Sequence, residues 1–213
     1  MVFSEAESRG PADKIASARP AAEGVPGIAV MDSLSGRFLV ASPQLVDPNF
    51  VRTVVLVIEH TPEGALGLVV NRPTNKTVGE LLSEVGAAPP DCRRPLFLGG
   101  PVPGPLMSIH CHRQWAEMEV LPGVYLSAKK ANIDELIRSD DQMIKVFVGH
   151  SGWGPGQLDR EMTEGAWLTA TADSDVVFSI DPEVWSQVCR RIGREFLTQT
   201  LGIRRFPPDP TVN

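Results

Sequence analysis

Cysteine is scarce in this chain: Cys92, Cys111 and Cys189 are the only three in 213 residues, far apart and without a C-x-x-C pair. An odd count at such spacing excludes a disulfide framework and a zinc knuckle as the basis of the fold. Reduced thiols in a cytoplasm are the expectation. Long apolar runs are absent as well, and none approaches the roughly 20 residues that span a bilayer. Glu5, Glu7, Arg9, Asp13 and Lys14 interrupt the N-terminal stretch, which therefore lacks the apolar core of a signal peptide. Neither a membrane nor export is expected. Basic charge is also short: 20 Lys and Arg stand against 26 Asp and Glu, a net charge of −6. A domain that neutralises phosphates carries the opposite balance, which points away from direct nucleic-acid binding.

The composition that remains is that of an ordinary globular chain, 42% apolar. A domain of this size buries roughly 70% of its unfolded surface and needs no staples. Residues 1–26 combine small, polar and charged groups with too little apolar surface to offset ordering, and read as a flexible tail in which 15–22 could form a short helix. Residues 27–203 read as a single domain, and 204–213 as a Pro-rich tail.

Within the domain, residues 38–41 form a short apolar run stopped by Pro43. The run 53–58 is β-branched and continuous rather than alternating, the pattern of a strand covered on both faces. A turn at 61–64 returns the chain along 65–70, giving a predicted antiparallel hairpin. Thr77-Val78-Gly79-Glu80 is a capping box, predicting a helix over 77–85. A Pro-rich loop, 88–94, leads to further strands at 95–98, 106–111 and 124–126. A helix over 131–139 carries Ile133, Leu136 and Ile137 on one side. Strands are predicted at 144–148, 167–170 and 176–179, with a short helix at 157–164. Asp181-Pro182 supplies an N-cap followed by Pro at the first helical position of a last helix reaching Phe196. Strands occur both in hairpins and beside helices, which argues for an α+β fold.

Three Gly/Pro-rich segments beside strong strands look unlike packing: 71–73, 99–102 and 149–158. The last has four glycines in eight residues, and its exit into a helix could aim amide N–H groups at an anion. Catalytic templates do not fit it. Gly149-His150-Ser151-Gly152-Trp153 has Trp where the nucleophile elbow needs Gly, and no histidine follows Ser151. His110 and His112 share a face if 106–111 is a strand throughout, and could hold a metal with His60 or His150 as third ligand. The plainer reading is surface or capping histidine. Asp159, Glu161 and Glu164 read as a solvated helix face. Arg190, Arg191, Arg194, Arg204 and Arg205 read as charges that complement a helix end.

Taken in order, these segments resemble the bacterial YqgE/AlgH family. The matching stretches run from Gly36-Arg37-Phe38-Leu39-Val40-Ala41-Ser42-Pro43 through Asp47-Pro48-Asn49-Phe50, Arg52-Thr53-Val54 and Glu59-His60. They continue at Gly64 to Pro73, Gly99-Gly100-Pro101-Val102, Ile109-His110, Gly149 to Glu161 and Gly165-Ala166-Trp167-Leu168. Two positions depart from the family pattern: His150, where an aromatic is common, and Asp159, where Glu is common. The resemblance implies an α+β fold with a bent, barrel-like, mostly antiparallel sheet surrounded by helices. It also brings a transcriptional-regulator label, but no established reaction. The residues expected to meet a small anionic ligand or a protein partner are Asn71, Arg72, Gly99, Gly100, His110, Gly152, Trp153, Gly154 and Gln157. No catalytic residue, metal or cofactor is assigned. The reading is a regulatory or binding module, with a hydrolase or metalloenzyme built on His, Asn and Glu as the alternative.

Overall fold

The computed structural model of the protein describes residues 33–84 and 92–201. The expected terminal tails, the short helix at 15–22, Val85 and the first part of the loop at 88–94 lie outside the described residues. The strands form two sheets. The first has five antiparallel strands in the order β10 (Ser151–Trp153), β3 (Gly64–Val69), β2 (Val54–Thr61), β1 (Arg37–Ala41) and β11 (Trp167–Thr171). The second has six: β4 (Pro73–Thr77), β5 (Pro95–Leu98), β9 (Ile144–Val148), β6 (Met107–His110), β8 (Val124–Ser127) and β7 (Met118–Leu121). Its β5–β9 pair is parallel and its other pairs are antiparallel. The α+β class therefore holds. Among the described residues, however, neither sheet closes on itself, and no barrel is formed.

The continuous apolar run of β2 has a direct structural cause. Val54, Leu56 and Ile58 enter a core shared with Phe97, Ile109, Leu126 and Phe147 of the second sheet. Val55 and Val57 point the other way, into a cluster with Trp153, Leu158 and Trp167. A strand with two buried faces cannot alternate apolar with polar. Each such side chain contributes roughly 1.5–3 kcal/mol relative to exposure. The predicted β2–β3 hairpin is present, with a bulge between Val57 and Glu59.

On the outer face of the second sheet, α1 (Val78–Glu84) and α2 (Lys130–Arg138) bury Val78, Ile133, Leu136 and Ile137 against Leu96, Ile144 and Val146. The capping box at the start of α1 is formed in both directions. Glu80 N–H donates to Thr77 Oγ1 at 3.2 Å, and Thr77 N–H donates to Glu80 Oε2 at 2.7 Å. The Thr77 N–H bond, then a second donated by Thr77 Oγ1 at 3.0 Å, holds the Glu80 carboxyl below its ordinary pKa. A third helix, α3 (Gln157–Thr163), covers the outer face of the first sheet with Leu158.

The strand predicted at 176–179 is instead α4 (Ser174–Phe178). The Asp173 carboxylate accepts from Val176 N–H at 2.9 Å, and this N-cap outweighs the β preference of Val176 and Val177 in so short a segment. Val177 still reaches the shared core. The last helix, α5 (Val184–Leu201), is present but begins two residues beyond the expected start at Pro182; Asp181 Oδ1 accepts from Glu183 N–H at 2.8 Å in the turn before it. Three strands were not predicted: β4, β7 and β10.

Candidate functional site

Strand register gathers part of the family-like segments, those around 41–54, 69–73, 149–151 and 165–168, at one end of the five-stranded sheet. Val40 faces Val54, Val55 faces Val69, Ala41 faces Trp167, and Ser151 faces Gly67. The end of β1, the start of β2, the end of β3 and the start of β10 therefore lie together. Connections 42–53, 70–72 and 149–150 leave from that end, and Val102 joins them through a two-way bridge to His150.

Asn71 and Arg72 act on backbone there. Asn71 Oδ1 accepts from Val54 N–H at 2.8 Å while its Nδ2 donates to Arg52 O at 3.0 Å. Arg72 donates to Asn49 O, and to Val51 O at 3.2 Å. The two side chains tie 49–54 to the end of β3. Burial lowers the Arg72 pKa from its ordinary value, while the nearby Asp47 carboxylate opposes that shift.

Gly99 and Gly100 permit a close backbone crossing. A Cβ on Gly99 would lie 2.4 Å from Gly149 O, and one on Gly100 would lie 2.3 Å from the His150 carbonyl carbon. Gly100 also has φ of +154°. Gly152 differs: it is exposed, and the nearest atom to an added Cβ is Val102 Cγ2 at 3.7 Å.

Trp153, Gly154 and Gln157 belong to a second assembly, centred on Glu161. Both Trp153 Nε1 and Trp167 Nε1 donate to Glu161 Oε2 at 2.9 Å, and Gln157 Nε2 donates to Oε1 at 2.8 Å. Gly154 N–H donates to Gln157 Oε1 at 3.1 Å, so this amide of the Gly-rich segment is already engaged. Phe50 stacks on Trp153 at 6.1 Å between ring centroids. Glu161, read in the sequence as part of a solvated face, is the acceptor that holds two indoles.

His110 is fully buried. Its Nε2 lies 3.0 Å from Ser127 Oγ, and Ser127 in turn donates to Trp115 O. Nδ1 accepts from His112 N–H at 3.2 Å, which assigns the proton to Nε2. Burial first, then the neighbouring His112, pushes the His110 pKa down to about 4, and the ring is neutral near pH 7. His110 is thus neither a surface histidine nor a metal partner of His112: the two rings stack at 6.3 Å between centroids, but both His110 nitrogens are engaged by Ser127 and His112 N–H. His60 Nδ1 instead accepts from Leu34 N–H at 3.3 Å, and His150 lies at the bridge to Val102. His112 meets Cys111 and Asp141: ligand atoms of these three lie within 4.8 Å of one another. Burial, followed by the Asp141 carboxylate, raises the Cys111 thiol pKa.

Lys145 carried no signal in the sequence beyond its place in a strand. It is 2% exposed, and its Nζ donates to Val70 O at 2.7 Å and Ser179 O at 2.6 Å. Nζ also sits 4.4 Å from the centre of the Phe97 ring, and burial lowers its pKa to about 7. Arg52, adjoining the motif residues, is exposed with φ of +54° and its guanidinium is 5.6 Å from the centre of the Trp185 ring.

Residues 38–197 match the family model described as AlgH-like. A UPF0301 protein of Streptomyces coelicolor is 37% identical over 202 residues, covering 88% of this chain and 99% of that protein. One of Thermobifida fusca is 38% identical over 197 residues, covering 85% and 96%. The solution structure of the AlgH protein from Pseudomonas aeruginosa is similar at a TM-score of 0.65 and 26% identity, covering 89% of this chain and 100% of that one. A crystal structure of a Corynebacterium diphtheriae protein gives a TM-score of 0.59 at 25% identity, covering 73% and 85%. Among the described residues, no helix is long and apolar enough to cross a membrane.

Proposed function

The chain belongs to the AlgH-like family, and on that footing we propose that it is a non-enzymatic regulatory module of the cytoplasm. It recognises a protein partner or small anionic ligand through the motif-bearing end of the five-stranded sheet. The observation that carries this reading is the division of labour at that end. Asn71 and Arg72 spend their polar groups on backbone. Exposed on the connections at that end are apolar and cationic groups: Val46 at 87% exposure, Val51 at 43%, Val102 at 37%, and exposed Arg52. Exposed apolar groups beside an arginine suit a partner with both apolar and acidic character. Gly99 and Gly100 keep the adjoining backbones close.

A hydrolase or metalloenzyme built on His60, His110, Asn71 or Glu161 finds less support. The hydrogen bonds that occupy Asn71, His110 and Glu161 are structural, and a neutral, fully buried His110 is a poor proton relay. As a transcriptional regulator the protein would act through its partner, since a net charge of −6 opposes direct DNA contact. The test is whether a partner or ligand carried through gentle purification is lost on Arg52→Glu while unfolding stays cooperative.

A further inference from the structure

Away from the motif-bearing end, the second sheet brings together three side chains of the kind that bind transition metals. Cys111 and His112 follow β6, and Asp141 lies in the connection from α2 to β9. Cys111 Sγ is 3.6 Å from Asp141 Oδ2, His112 Nε2 is 3.0 Å from the same oxygen, and the ligand atoms of all three lie within 4.8 Å of one another. On a tetrahedral zinc ion, with ligand bonds near 2.0–2.3 Å, neighbouring N, O and S ligands stand about 3.3–3.6 Å apart. The cluster straddles those spacings.

His112 supplies a second, independent observation. Its Nε2 is buried and makes no hydrogen bond, although a carboxylate oxygen lies at 3.0 Å. The two atoms are close without hydrogen-bond alignment, as two ligands along one edge of a coordination polyhedron would be. The groups are also held from behind. Asp141 Oδ1 accepts from Met143 N–H at 2.8 Å, leaving Oδ2 toward the cluster. Arg94 donates to Asp141 O at 2.9 Å and to Ser139 O at 2.8 Å, fixing the connection. The His112 ring packs against Trp115 at 5.0 Å.

We propose that Cys111, His112 and Asp141 form a zinc-binding site in which Sγ, Nε2 and Oδ2 are the ligands. One thiolate and one carboxylate balance the charge of Zn²⁺, and the imidazole binds neutral. The Zn–S bond replaces the thiol S–H bond, and its proton leaves to solvent. A thiolate selects against Mg²⁺ and Ca²⁺, and a carboxylate selects against Cu⁺. Three protein ligands leave a fourth position for water or a ligand, and side-chain exposures of 22% for His112 and 33% for Asp141 leave a path for entry. The site is independent of the partner surface proposed above.

The experiment is a titration of the chelator-treated full chain with Zn²⁺ and, separately, with Co²⁺ under reducing conditions. One equivalent of each metal should bind, with Co²⁺ giving a thiolate-to-cobalt charge-transfer band. Cys111→Ser should abolish that band, and Asp141→Asn should weaken Zn²⁺ affinity by at least about 10-fold, the lower end of what loss of an outer-shell partner alone costs. Cys189→Ala should leave both unchanged. His112→Gln provides a third ligand variant should one of the others fail to fold, as judged by circular dichroism. Absence of stoichiometric binding overturns the assignment. So does a charge-transfer band that survives Cys111→Ser or disappears in Cys189→Ala.

Discussion

Lys145 makes the stability of this protein depend on pH in a direction opposite to most buried acids. Its amine is 2% exposed, and its hydrogen-bond partners are two carbonyls rather than a carboxylate. Burial lowers its pKa from 10.5 to about 7 in the folded chain. Between those values the unfolded chain holds a proton that the folded chain has released, so stability rises with pH across this window. Below it, both states are protonated and the folded state carries the full desolvation cost. From about pH 7 to about pH 9 the gain is roughly 2 kcal/mol, at most 1.4 kcal/mol per pH unit. For a chain of this size that corresponds to about 4–8 °C in melting temperature. Lys145→Met removes the titrating group, so the assay is urea unfolding of both proteins at several pH values. Their stability difference should change by roughly 2 kcal/mol over that range. Parallel pH curves for the two proteins would refute the reasoning, because some other group would then control the pH dependence.

Glu161→Ala should cost about 3 kcal/mol in urea unfolding, because the Trp153 and Trp167 indoles lose their shared acceptor. Tryptophan fluorescence should shift to the red, and a loss below about 1 kcal/mol would show that the indoles find other partners. Gly99→Ala places a Cβ 2.4 Å from Gly149 O and should cost at least about 2 kcal/mol in thermal unfolding. Gly193→Ala serves as its control, since an added Cβ there meets nothing within 4 Å.

Much of the fold was legible because its signals are local. The capping box at Thr77–Glu80, the apolar stripe of α2 and the two-sided burial of β2 each follow from residues adjacent in the chain. The three strands that sequence reading missed, β4, β7 and β10, are all edge strands. Edge strands have one partner and weaker apolar pattern, so pairing rather than composition defines them. The polar run Pro73–Thr77 and the glycine-flanked Ser151–Trp153 are of that kind. The strand wrongly expected at 176–179 shows the converse, since one cap from Asp173 decided a five-residue helix.

For the site, sequence singled out Asn71, Arg72, Trp153 and Gln157 as unusual, but their bonding partners were not legible. Asn71 reaches Arg52 and Val54, and Arg72 reaches Asn49 and Val51, all across the hairpin. The Cys111–His112–Asp141 cluster depends on a contact spanning 30 positions, which no local motif encodes. Lys145 was silent for the same reason, because its acceptors come from β3's exit and the end of α4.

The central claim is that the motif-bearing end of the five-stranded sheet is a recognition surface. Native mass spectrometry of the full chain, purified gently and without chelator beside its Arg52→Glu variant, tests it most directly. The account predicts a bound protein or anionic molecule at fixed stoichiometry on the unsubstituted chain, lost on Arg52→Glu. A bound zinc ion would register in both samples at its own mass and would not be confused with it. Equal occupancy of both samples by the partner, or a partner-free mass for both, would contradict the account.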